Sequence, residues 1–215
     1  RLGRLERARE AEPGLAIYTN AAGWSADAYA LKIQWTAAQL RILKSDLFGF
    51  QELWHAQSLI NALAATGFAD EYALLVPPKT AGTKIVCAAA VRKDLLYGKP
   101  EWISDFPAKF KLHSSGDDPQ TPEIEVAIRG FSRPVMHFRI RPRSDEPPIH
   151  VYVCHFKSKA PTKVFEEAWF KAAKRRYGKH ATALGAALST IRRTAESAAL
   201  RWLLTLQMKG NDTPV

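Results

Sequence analysis

Cysteine and methionine are both scarce, with two of each in 215 residues. Cys87 and Cys154 each fall inside an apolar, strand-like run, which reads as two small core residues rather than a disulfide or a metal pair. No stretch approaches the roughly 18 consecutive apolar residues that a membrane-spanning helix needs. There is no internal repeat and no low-complexity tract, and no secretory signal shows, although a chain that begins at Arg1 could be processed or trimmed. What is present, 47% apolar and 10% aromatic, suffices for one domain with a sizeable core.

Acidic residues are scarce in one part of the chain only. Residues 1–138 hold 16 Lys/Arg against 15 Asp/Glu, whereas residues 139–209 hold 15 against 5. The net charge of +10 therefore belongs to the second half. A concentrated positive field draws phosphate-bearing partners by long-range attraction and counterion release, although a solvated basic face is the plainer alternative.

Residues 1–14 read as a charged arm that ends at Pro13-Gly14, and 15–215 as the domain. Residues 15–19 read as a buried strand closing on Asn20. Ala28, Leu31, Trp35, Ala38 and Ile42 recur at helical spacing, with Asp27 as the N-cap. This helix is expected to return the chain so that a strand over 47–51 runs parallel to the first. Asn20 and Glu52 would then leave the sheet at one edge, where open α/β sheets hold their ligands.

Further helices are expected over 55–65, 163–176 and 188–208, the last with Ile191, Ala195, Ala198, Trp202 and Leu206 inward. Strands are expected near 72–76, 85–91, 124–128, 135–140 and 149–154, with mostly loop over 98–122. The order of elements suggests a layered α/β domain.

Two stretches could carry chemistry. The first is Phe50-Gln-Glu52, where an acid follows an apolar strand; a polar strand terminus would look the same. The second is His155-Phe-Lys-Ser-Lys159, which sets an imidazole, two ammoniums and a hydroxyl within five residues. Imidazole can hydrogen-bond or protonate a phosphoryl oxygen near neutral pH. Trp24, Trp54 and Trp169 could stack on bases, although a place in the core is the plainer reading of each.

Asn20 after a strand, Phe50-Gln-Glu52, Cys87-Ala-Ala-Ala-Val-Arg-Lys-Asp94, Arg133-Pro134 and His155-Phe-Lys-Ser-Lys159 occur in this order. In that order the chain resembles the endonuclease/exonuclease/phosphatase family over about residues 15–215. The resemblance implies a DNase I-like fold, a sandwich of two mixed β-sheets flanked by helices. It implies that Glu52, supported by Asn20, binds Mg²⁺ (or Mn²⁺), and that His155 lies against the scissile phosphate. Lys157, Ser158 and Lys159 would touch the substrate. The implied reaction is attack by water on a phosphodiester, most naturally of DNA or RNA.

The family's Gly-Asp-x-Asn and Asp-His strings do not occur in this chain. Residues 188–208 resemble the helix that precedes the first of them, and Pro214-Val215 the start of its strand. The expectation is thus the N-terminal part of a longer enzyme, inactive alone, whose site a further segment or separate chain completes. The alternatives are a phosphoesterase of a small or phospholipid substrate, and an inactive module that binds phosphate or nucleic acid.

Overall fold

The computed structural model of the protein describes residues 25–78, 81–117, 120 and 123–210. These divide into two compact units, one built from 25–103 and Arg133–His155, the other from Ser104–Ser132 and 156–210. The expected strand over 15–19, together with Asn20 and Trp24, lies outside the described residues.

The first unit opens with helix α1 (Ala26–Leu43). Its N-cap is Ser25, whose hydroxyl accepts from the Ala28 amide at 3.1 Å, while Asp27 sits in the first turn. The helix buries Tyr29, Ile33, Thr36, Ala37 and Leu40. At 3.6 residues per turn this face lies about half a turn from the expected one. Leu31, Trp35 and Ile42 are exposed at 71%, 56% and 73%. Both faces are apolar, so periodicity alone offered two stripes, and the sheet took the one with Tyr29 and Leu40.

At the other end of α1, Arg41 donates through Nε to the Thr66 carbonyl at 2.9 Å and through Nη2 to that of Ala65. It thereby satisfies carbonyls left over where α2 (Ala56–Ala64) stops, and pins the two helices together.

Strand β1 (Leu47–His55) runs straight into α2 and pairs antiparallel with β3 (Ala81–Arg92), which also pairs antiparallel with β2 (Tyr72–Leu75). A second three-stranded sheet holds β4 (Leu96–Asp105), β5 (Gly130–Ile140) and β6 (Ile149–Val153) in that order, with β5 and β6 antiparallel.

One face of the first sheet packs Phe48, Leu53, Val86, Ala88 and Ala90 against Leu40 of α1 and Leu59 and Leu63 of α2. The other face packs Cys87, Ala89 and Val91 against Met136, Phe138 and Ile140 of the second sheet. The unit is therefore layered helix, sheet, sheet, and the alternation of β3 supplies both interfaces. Gly49 lets the sheets close, since a Cβ there would meet Val153 Cγ2 at 3.3 Å. The α/β class of the sequence reading holds, with antiparallel pairing among the described strands.

Strand β4 replaces the first part of the loop expected over 98–122. Gly98 has φ +77°, and a Cβ there would lie 2.7 Å from Arg139 Nη2. Pro100 lies in β4, an edge strand of its sheet, the position to which proline within sheets is largely confined. The strand expected over 124–128 reduces to one isolated bridge, His113 to Glu125.

In the second unit the helix expected over 163–176 is broken into a 3₁₀ turn (Val164–Glu166), α3 (Ala168–Ala172) and α4 (Lys174–Tyr177). Helix α5 (Ala181–Met208) is unbroken and buries Gly185, Ser189, Ala195, Glu196 and Ala199. This face is turned by about a quarter of the helix from the expected stripe. Ile191, Trp202 and Leu206 remain 46%, 41% and 55% exposed. Small residues set the approach: a Cβ on Gly185 would lie 2.3 Å from the Thr162 carbonyl oxygen.

Candidate active site

Glu52 owes its position to a defect in β1. Phe50 faces Ala88 and Leu53 faces Val86, so Gln51 and Glu52 together oppose Cys87. This is a β-bulge, and Glu52 takes the left-handed conformation with φ +58°. A side chain in that region costs roughly 1–3 kcal/mol unless its surroundings impose it. The expectation that Glu52 ends the strand is corrected: β1 continues to His55, and the bulge, not a terminus, turns the carboxylate out. The disrupted ladder is satisfied locally, as Trp102 Nε1 donates to the Cys87 carbonyl at 3.3 Å.

The neighbouring Gln51 reaches from β1 to the segment after β6, its Nε2 donating to the Cys154 carbonyl at 2.5 Å. That bond holds the bulge beside His155. His155 Nε2 lies 3.7 Å from Glu52 Oε1, with the two side chains 13% and 29% exposed. The separation is too long for a hydrogen bond and suits a charge pair when the imidazole is protonated.

Burial pushes the Cys87 thiol up to about 12 and the Cys154 thiol up to about 11, and both are free cysteines. Neither acts as a thiolate near neutral pH.

The structure thus brings Glu52 and His155 together, with Asn20 outside the described residues. Lys157, Ser158 and Lys159 belong to the second unit. There the Lys157 ammonium donates to the Ala160 carbonyl at 2.8 Å, while Ser158 and Lys159 are exposed. The loop is fastened by a residue that sequence reasoning passed over. Glu196, fully buried, accepts from the Ser132 amide and the Lys157 amide, each at 2.7 Å. An acid between two inward alanines of a helix was the available signal. Trp169 is 45% exposed and packs edge-on against Phe170 and Tyr177.

A second polar group in the first unit also went unread. On the side of the second sheet away from its core, His137 Nδ1 lies 2.5 Å from Glu101 Oε1, and His137 Nε2 lies 2.8 Å from His150 Nδ1. An ionised carboxylate only accepts, so Nδ1 of His137 carries the proton and one further proton fits between the rings. Alternation along β5 and β6 was the signal, since His137 and His150 sit out of phase with Phe138 and Val151.

Burial, then the neighbouring His137 and Arg139, hold His150 below the usual histidine range, with Glu101 opposing. The unfolded chain takes this proton more readily than the folded one, so stability rises with pH here. The contribution is complete above about pH 6.5 and is lost as the pH falls from there towards the folded value. Thermal unfolding between pH 7.5 and 5 is expected to show this decline, and His150→Gln to flatten it.

Among the described residues no group of three or more His, Cys, Asp or Glu side chains is arranged to hold a metal ion. No helix there is long and apolar enough to cross a membrane.

No family model, curated protein or solved structure matches this chain.

Proposed function

We propose that the protein is a metal-dependent phosphodiester hydrolase of the endonuclease/exonuclease/phosphatase kind, acting on DNA or RNA. The observation that carries this reading is the Glu52 carboxylate, held in a strained bulge 3.7 Å from His155. Strained non-glycine residues cluster where function over-determines the backbone. The helix–sheet–sheet layering of the first unit is in keeping with three of the four layers of a DNase I-like sandwich. The second unit, with 15 Lys/Arg against 8 Asp/Glu, has the field that a phosphate backbone requires.

A Mg²⁺ ion asks little of the protein, commonly one or two carboxylates, and completes its shell with water and substrate phosphate. The partly exposed Glu52 carboxylate fits that demand, with Asn20 as the further residue the reading would assign. When bound, the ion would offset charge on the phosphoryl oxygens. His155 would hydrogen-bond a non-bridging oxygen or pass a proton at Nε2, and Gln51 would hold the two segments in register.

The test is Mg²⁺-dependent cleavage of plasmid DNA and single-stranded RNA by the full-length protein, not by residues 1–215 alone. Chelation should abolish turnover, and Glu52→Gln or His155→Ala should each lower it by about 10²-fold or more. Unchanged turnover in either variant refutes the site. Activity that falls steeply with salt supports a nucleic-acid substrate, and a flat response supports a small phosphoester.

A further inference from the structure

We infer that an open cleft along α5 in the second unit binds the phosphodiester backbone of single-stranded nucleic acid. This deepens the reading above and rests on it for the substrate class.

The cleft, of about 510 Å³, is lined by Arg193, Thr194, Ser197, Ala198 and Arg201, with Phe156 beside them. Arg193, Ser197 and Arg201 recur every four residues and so form one ridge of the helix. The two guanidinium-bearing residues stand about 12 Å apart along the axis, with a hydroxyl between them.

Arg193 has an unmet demand. Its Nη1 is buried and has no hydrogen-bond partner among the described residues. A guanidinium nitrogen withdrawn from water without an acceptor is costly, and a phosphate in the cleft beside the same guanidinium would offset the positive charge it carries.

The helix offers no carboxylate to compete for the two arginines. Its one acid, Glu196, already accepts from the Ser132 and Lys157 amides and lies on the buried face. No acid of the helix itself therefore stands on the ridge that carries Arg193 and Arg201.

The shape favours a strand over a small anion. The cleft is open and runs over two helix turns, a span longer than a single small anion fills. Two fixed cations spaced along a groove match a repeating charge, and Phe156 sets an aromatic ring beside them for an unstacked base. A duplex presents no such base.

The experiment uses the intact polypeptide in EDTA, where no cleavage intervenes. Binding of a fluorescein-labelled 12-nucleotide single strand is followed by anisotropy over a salt series. Wild type should bind, with affinity falling steeply as salt rises. Arg193→Ala with Arg201→Ala should weaken binding about tenfold or more and reduce the log–log salt slope by roughly 1.4, two contacts at about 0.7 each. Arg193→Lys should recover part of the affinity, because it keeps charge and loses the fork.

Unaltered affinity and slope in the double variant, with its fold intact by circular dichroism, would overturn the inference. So would equal binding of an oligoglutamate of matched charge. The two readings separate cleanly. Cleavage lost in Glu52→Gln with EDTA binding intact leaves the cleft standing. Arginine-dependent binding in a protein that never cleaves refutes only the hydrolase. Cleavage with arginine-independent binding refutes only the cleft.

Discussion

Glu196→Ala should be the most damaging single substitution in the second unit, lowering stability by about 3–6 kcal/mol. The estimate follows from two charge-assisted hydrogen bonds to backbone amides, worth roughly 1.5–3 kcal/mol each. Both amides, of Ser132 and Lys157, lie 2.7 Å from a carboxylate that is fully buried. Alanine leaves them facing an apolar gap with nothing to accept. Glu196→Gln keeps one acceptor oxygen and turns an amide group towards the second N–H, so it should cost about half as much. Chemical denaturation of the three proteins gives the order, and hydrogen exchange at Lys157 the location. Equal stability of wild type and alanine variant would mean that Glu196 is not the clasp described here.

Replacing Glu52 should have opposite effects on stability and activity. Glycine adopts φ +58° without the steric penalty a side chain incurs, at some entropic cost in the unfolded state. Glu52→Gly is therefore expected to gain about 1 kcal/mol, raising Tm by roughly 2–4 °C for a chain of this length. The same change removes the carboxylate and should lower Mg²⁺-dependent turnover at least as far as Glu52→Gln. A variant both more stable and inactive is the signature of strain kept for function. A less stable glycine variant would show that the side chain holds the bulge, and would remove strain as support for the site.

The strands were the legible part of the fold. Mostly apolar runs over 47–51 and 85–91 and an alternating one over 135–140 matched β1, β3 and β5, and the structure lengthened each. The helix faces were less legible. Helix α1 has two apolar stripes, and nothing local says which meets the sheet. Helix α5 turns Gly185 rather than a large apolar residue towards Thr162, because the close approach there leaves no room for a side chain. Strand β4 was hidden by Gly98 and Pro100, which read as loop residues until Arg139 and the free sheet edge account for them.

The same division applies to the candidate site. Glu52 and His155 were marked by polar groups closing apolar runs, and the structure sets them 3.7 Å apart. Their means of meeting was not legible. A glycine at a bulge announces itself, whereas a left-handed glutamate leaves no sequence trace. Glu196 and the Glu101–His137–His150 chain depend on partners from 13 to 64 residues away, beyond any local pattern.

The two free cysteines of the first unit have a practical meaning. With both sulfurs held in the protonated form by their surroundings, alkylating reagents and mild peroxide should pass over the native molecule. The Cys87 sulfur, buried where the two sheets pack, becomes nucleophilic only when the layers part, so the pace of its modification is a clock for how often the first unit opens.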